Sequence, residues 1–218
     1  MATAPVTTRA KSTPLEGMKR SYLAIAPLLL CAAAHAQEWQ IDSVHSAAQF
    51  SVRHLMVSTV RGQFGKISGT VRYDPANPSA ASIQSEVDVS TIDTRVAKRD
   101  AHLKSPDFFD VEKYPTMSFK STKVEPAGSG ALKVTGDMTM RGVTKPVVFN
   151  IEGLTAPIKD RNGLRMGAAA TTKISRQDFG MTWNRAIEAG GVTVGDEVTI
   201  TIDVELIQRP PQASSSGN

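Results

Sequence analysis

The chain has 218 residues, with 25 Lys or Arg, 21 Asp or Glu and a single cysteine. Arg9, Lys11, Lys19 and Arg20 fall in the first 36 positions against one acid, Glu16, so the remainder is close to neutral and shows no basic patch of the kind nucleic acid requires. Cys31 lies in that same stretch, which excludes thiol catalysis, a cysteine-ligated metal and covalent haem from everything after it.

Residues 1–17 are Pro- and Thr-rich and suggest no function. From Met18 the chain reads as a secretory leader: Lys19 and Arg20, an apolar run, then Ala34-His35-Ala36 as an A-x-A cleavage site. The apolar run is shorter than the roughly 20 residues a bilayer span needs. Met18 is therefore the expected true start, with cleavage after Ala36 and export of the mature chain from Gln37 onward. Leu30 stands where a lipoprotein signal wants a small residue before its cysteine, so lipidation at Cys31 is not expected. Segment 37–208 has the size of one domain with a full core.

Beyond the leader, apolar residues alternate with polar ones. After a short piece near Trp39–Asp42, Ala48, Phe50, Val52 and His54 share one face of a strand. Gly62 and Gly65 read as a bulge or bend before Ile67, Gly69, Val71 and Tyr73. Asp74-Pro75-Ala76-Asn77-Pro78 is turn chemistry, and Ile83, Ser85, Val87 and Val89 come next. Asp93–Leu103 breaks the alternation and predicts a helix capped by Asp93 or Thr94, with a second short turn from Ser105-Pro106. This gives a helical insertion near residues 94–112. Strands resume at Met117–Ser121 and Leu132–Met140, turn at Arg141-Gly142, and continue at Val147–Ile151, Leu164–Ile174 and Val198–Leu206. Residues 176–196 read as a long irregular segment, and long loops of that kind often cover binding sites. Arg209–Asn218 is Pro- and Ser-rich and expected to be disordered. The result is an all-β domain of about eight strands, a number at which a closed barrel can hold one small ligand; a sandwich fits the pattern as well.

The inward phases carry Met117, Met138, Met140 and Met166, with Gly69, Gly136, Ala48, Ala168 and Ala170 among them. Methionine adapts to flexible apolar partners, and small residues leave room, so this face suggests an apolar cavity. Patterning alone equally admits a filled core in which Met plugs gaps, and that is the plainer reading. Chemistry-bearing clusters are thin. His45, His54 and His102 match no zinc spacing, so no metal is expected. Asp42, His45 and Ser46 resemble a triad in composition only, because an extended chain turns successive side chains to opposite faces. Gly62-Gln-Phe-Gly65-Lys66 lacks the Ser or Thr and the subsequent helix of a phosphate loop. Arg95, Lys98 and Arg99 read more simply as a solvated helix face than as an anion site.

Several blocks together resemble the YceI-like family. They are Asp42-Ser-Val-His45-Ser46-x3-Phe50-x-Val52-x-His54-Leu55, Val60-x-Gly62-x-Phe64-x4-Gly69, Arg99-Asp-Ala-His102 through Phe108-Phe109 to Tyr114-Pro115, Phe119-Lys-Ser121, Gly136 through Arg141-Gly142 to Pro146, and Ser175-Arg-x2-Phe179-Gly180-Met181. The likeness spans about residues 38–207. It implies an eight-stranded antiparallel lipocalin-like barrel, export to the periplasm, and binding of a polyisoprenoid or related amphiphile inside the barrel, an isoprenoid quinone included. It further implies a frequent homodimer and no catalytic residues or cofactor; transient membrane contact is expected of such a carrier. The ligand chain is then expected along Phe50, Val52, Met117, Phe119, Met138, Met140, Phe149 and Met166, with Phe179, Met181 and Trp183 closing one end. His54, Arg99, Asp100 and His102 are the candidates for a polar head. Arg99, Asp100 and His102 serve equally well to lock the helical segment onto the barrel, and Phe108, Phe109, Tyr114 and Pro115 to anchor it. Two other readings remain: an enzyme acting on an amphiphile with His54 as base, and a stress-linked interaction protein with nothing in its barrel.

Overall fold

The computed structural model describes residues 37–161, 163–186 and 191–208, together with the first two. The expected leader and the expected disordered tail lie outside the described residues. Twelve strands run antiparallel in one sheet: β1 (Gln37–Ile41), β2 (Ala47–His54), β3 (Ser58–Phe64), β4 (Ile67–Tyr73), β5 (Ser82–Asp88), β6 (Ile92–Asp93), β7 (Thr116–Pro126), β8 (Leu132–Met140), β9 (Val143–Glu152), β10 (Ile158–Asp160), β11 (Gly163–Ser175) and β12 (Val194–Gln208). Eight of them close a ring in the order β1-β4-β5-β7-β8-β9-β11-β12, with β12 returning to β1. The protein is thus a closed eight-stranded barrel, as expected. The long β12 carries a second neighbour on the same side as β1: its N-terminal half pairs with β2, which leads on to β3 and the two-residue β6.

Alternation is visible in the burial of β8, where Leu132, Val134, Gly136, Met138 and Met140 face inward and their neighbours outward. The β8–β9 hairpin turns on Arg141 (φ 51°) and Gly142 (φ 73°), the left-handed pair that a tight two-residue hairpin demands.

Three expectations are corrected. Gly62 makes no bulge: β3 is a continuous strand that the alternation had hidden. A Cβ at Gly62 would lie 2.5 Å from the Phe50 ring and 2.8 Å from the Thr94 methyl, so the glycine is there for close packing. Gly69 and Gly136 leave space for their neighbours rather than for a cavity. A Cβ on Gly69 would meet the Gln84 carbonyl at 2.2 Å, and one on Gly136 the Phe119 ring at 2.5 Å. The helix α1 (Ala97–Lys104) starts later than expected, with Val96 at its cap and no side-chain capping bond. Thr94 is instead buried, and residues 105–114 continue as turns rather than helix.

Candidate functional site

Two apolar cavities occupy the barrel. The first, of about 120 Å³, lies toward α1; the second, of about 110 Å³, lies toward the start of β11. Ile67, Ser85, Phe119, Phe149 and Ile202 border both, so one layer of side chains from five strands stands between them. Phe119 and Phe149 meet there edge to face, with ring centroids 5.1 Å apart.

Sequence-derived candidates lie on both walls. Phe50, Val52, Met117, Met138, Met140 and Met181 border the first cavity, Met166 the second, and Phe119 and Phe149 both. Phe179 and Trp183 border neither. Phe179 is 1% exposed within the core, and Trp183 packs outside against Phe108 and His102, with ring centroids at 5.3 and 4.9 Å. Wall residues that the sequence does not single out as ligand contacts include Phe64, Leu103, Phe108, Phe109, Arg176 and Val194. In the sequence, Phe108 and Phe109 suggest anchoring of the helical segment rather than ligand contact. They reach the wall because α1 and the turns after it fold across the barrel end, where Phe109 packs edge-on against Phe64 at 5.7 Å.

None of the four polar-head candidates borders either barrel cavity. His54 ends β2, partly buried, in register with Ser58 and Val194. Arg99 donates from Nε to Thr94 Oγ1 (2.8 Å) and from Nη2 to the Thr94 carbonyl (2.8 Å). Asp100 accepts from the Thr94 amide (2.9 Å) and hydroxyl (2.5 Å). His102 pairs through Nε2 with Asp107 Oδ2 at 2.9 Å and stands edge-on to Phe108 and Trp183. Arg99 and Asp100 thus tie the start of α1 to buried Thr94, which sits beside Gly62 of β3, while His102 packs on Phe108 and Trp183.

Two arginines fix the segments that cover this end. Arg176, 3% exposed, borders the first cavity, and all its donors are engaged. Nε donates to the Gly195 carbonyl, Nη1 to those of Met181 and Trp183, and Nη2 to the Val194 carbonyl and to Asp196 Oδ1 at 3.1 Å. Burial pushes its pKa down, against the Asp196 charge. With five N–H groups and five acceptors, it ties Met181 and Trp183 to residues 194–196 and has no donor left for a ligand. Arg141 donates to the carbonyls of Pro106 (2.7 Å) and Gly180, tying the turns after α1 to the loop after β11.

A charged cluster sits on the outward phase of β11 and β12, behind the wall of the second cavity. Arg165 donates to Asp42 (2.8 Å), Asp160 (2.6 Å) and Glu205, and His45 Nδ1 lies 3.0 Å from Asp42 Oδ2. Donor atoms of Asp42, His45 and Glu205 fall within 4.8 Å of one another, a spacing that could suit a cation. The Arg165 guanidinium already bonds both of those carboxylates, so the charge there is balanced by the chain itself. Apart from Gln49, Ser85, Ser118, Arg176 and the Tyr73 hydroxyl, the walls of both cavities are hydrocarbon and aromatic. Such a space holds apolar matter by burial and carries no arrangement for acid–base or nucleophilic chemistry among the described residues.

The model of the YceI-like domain matches residues 39–206. The chain belongs to the YceI-like family. A UPF0312 protein of Vibrio cholerae is 41% identical over 169 residues, 75% of this chain and 89% of its own length. One from Shewanella baltica is 37% identical over 158 residues, covering 72% and 83%. Among solved structures, Burkholderia cenocepacia BcnA matches with a TM-score of 0.66 at 25% identity, over 76% of this chain and 98% of its own. A polyisoprenoid binding domain from Saccharophagus degradans, implicated in plant cell wall breakdown, shares the fold with a TM-score of 0.58 at 15% identity, over 81% and 100%. In this YceI-like chain the shared barrel surrounds the two cavities, and the family blocks around residues 99–115 and 175–181 contribute the segments that cover the first of them.

Proposed function

We propose that this protein is an exported, non-catalytic carrier that takes the apolar chain of a polyisoprenoid or related amphiphile into its barrel. The observation that carries this reading is the pair of hydrocarbon-lined cavities set end to end, with one layer of side chains between them. Each buried CH2 of a ligand is worth roughly 0.8 kcal/mol relative to water, so a long chain is held without any specific bond. Family membership supports the reading, as does the likeness in fold to a polyisoprenoid-binding domain. Export rests on the leader at 18–36, with the periplasm as destination. An isoprenoid quinone is one ligand of this class.

The rival, an enzyme using His54 as base on the same amphiphile, gains nothing from the position of that histidine, which borders neither cavity.

Native mass spectrometry of protein recovered after export, with subsequent organic extraction and lipid identification, tests the proposal. A stoichiometric isoprenoid is the expected result. An apo mass that also refuses added isoprenoids would overturn it. The same spectrum reads out the expected homodimer.

A further inference from the structure

The β2–β3 hairpin ends in Leu55, Met56 and Val57, exposed by 36, 52 and 77%. Leu55 and Met56 adopt left-handed φ values of 49° and 60°, in a turn closed by the Val57 amide donating to the His54 carbonyl at 3.1 Å. Such a turn favours Asn-Gly, and bulky side chains there are strained. Here the strained positions hold large apolar side chains that face water. Strained residues of this kind cluster at functional sites.

The tip stands on the rim of the first cavity. Val52, two residues before His54, borders that cavity, as does Val194, which pairs with His54; the Leu55 amide donates to the Thr193 carbonyl at 2.9 Å. Beneath the tip, Arg53 bridges the hairpin, donating to the Met56 carbonyl at 2.7 Å and to Thr59 Oγ1 at 3.1 Å. Arg61 is exposed on the same outward phase of the hairpin. The chain leaving β6 runs antiparallel to β3 as far as Thr94 beside Gly62, and next in sequence come exposed Arg95, Val96 and Lys98. Among the described residues, nearby acids are bonded: Asp196 to Arg176, Glu197 to Lys173, and Asp93 to the Arg95 amide. The prong is apolar at its tip, with exposed Arg53 and Arg61 on the hairpin itself.

We infer that this prong docks the cavity rim on a bilayer bearing anionic head groups, with Leu55, Met56 and Val57 entering the acyl boundary and Arg53, Arg61, Arg95 and Lys98 meeting the phosphates. An apolar tip flanked by basic residues is the composition that binds such interfaces, and its cationic part is screened by salt. The inference gives the proposed carrier a place to exchange its cargo and rests on that reading for its purpose, but its readout is independent of cargo.

The test is co-flotation of the exported protein with phosphatidylcholine vesicles, with and without one quarter phosphatidylglycerol. Expected is binding to the anionic vesicles that falls by about tenfold or more in the Met56→Glu/Val57→Asp variant, and similarly in Arg61→Glu/Arg95→Glu or at high salt. Circular dichroism and uptake of soluble geranylgeraniol are measured on every variant; folded, ligand-competent variants that lose only flotation support the docking. Flotation equal in wild type and variants, or none for wild type, overturns it. Loss of geranylgeraniol uptake in the wild type with flotation intact would overturn the carrier reading alone.

Discussion

The ring of Phe119 meets that of Phe149 edge to face, centroids 5.1 Å apart and planes at 79°, at the boundary between the two cavities. A ligand chain longer than one cavity has to displace this pair. Phe119→Ala is therefore expected to join the cavities, at a stability cost of about 3–5 kcal/mol for a truncated core aromatic. Uptake of long isoprenoids should improve relative to short ones in a series of increasing chain length. An unchanged length preference in a folded variant would show that the pair is no divider.

Phe119 is held from below by Gly136. A Cβ there would lie 2.5 Å from the Phe119 ring and equally close to the Lys120 carbonyl oxygen. The ring can turn away, whereas the carbonyl is fixed in the β7–β8 ladder. Gly136→Ala should cost about 1–3 kcal/mol as an overpacked site. Combined with Phe119→Ala, it should cost less than the sum of the two single changes, because only the backbone clash remains. Denaturation midpoints of the four proteins give the coupling; strict additivity would mean that the glycine does not set the ring.

The barrel and much of both walls were legible because period-two alternation places side chains on a face, as it did for Phe50, Val52, Met117, Met138 and Met166. What failed was whatever alternation does not encode. Leu103, Phe108 and Phe109 reach the first cavity from a helix and turns, where no strand period applies, and only their density of aromatics hinted at it. Trp183 and Phe179 lie on the segment expected to close that end, yet one packs outside on His102 and the other fills the core. Gly136 looked like vacant space in the sequence because a glycine does not say which neighbour occupies it. Arg99 and Asp100 looked like ligands for a head group because their partner, Thr94, is an ordinary residue whose burial shows only in the fold.

Arg176 makes a separate prediction. Its guanidinium holds four carbonyls and Asp196 together around the segment between β11 and β12. Arg176→Met leaves buried acceptors without donors, a loss on the order of 3 kcal/mol. Arg176→Lys restores charge but only three donors without the planar fork, so it should recover part of the loss. Thermal denaturation gives the ranking, and limited proteolysis should cut between residues 180 and 194 first. Equal stability of all three proteins would remove Arg176 from its organising role.

At the other end, Arg165 makes the fold sensitive to acid. Its bond to Asp42, helped by His45 and by the Val44 amide, holds the Asp42 carboxyl well below the usual carboxylate range. The folded state therefore releases that proton more readily than the unfolded chain does. The stabilisation is complete above the unfolded pKa, near 4, and is lost as pH falls below it toward the depressed folded value. Asp42→Asn removes both the bond to a charged acceptor and this proton linkage. The variant should be less stable than wild type at pH 7, with the gap narrowing as pH falls from about 4 to 2. Melting temperatures across pH 7 to 2 decide it. Curves that stay parallel to the acid end would mean that the Asp42–Arg165 pair contributes no pH-dependent stability, leaving the hold on this part of β11 to Asp160, Glu205 and the apolar packing of Trp39, Met166 and Leu206.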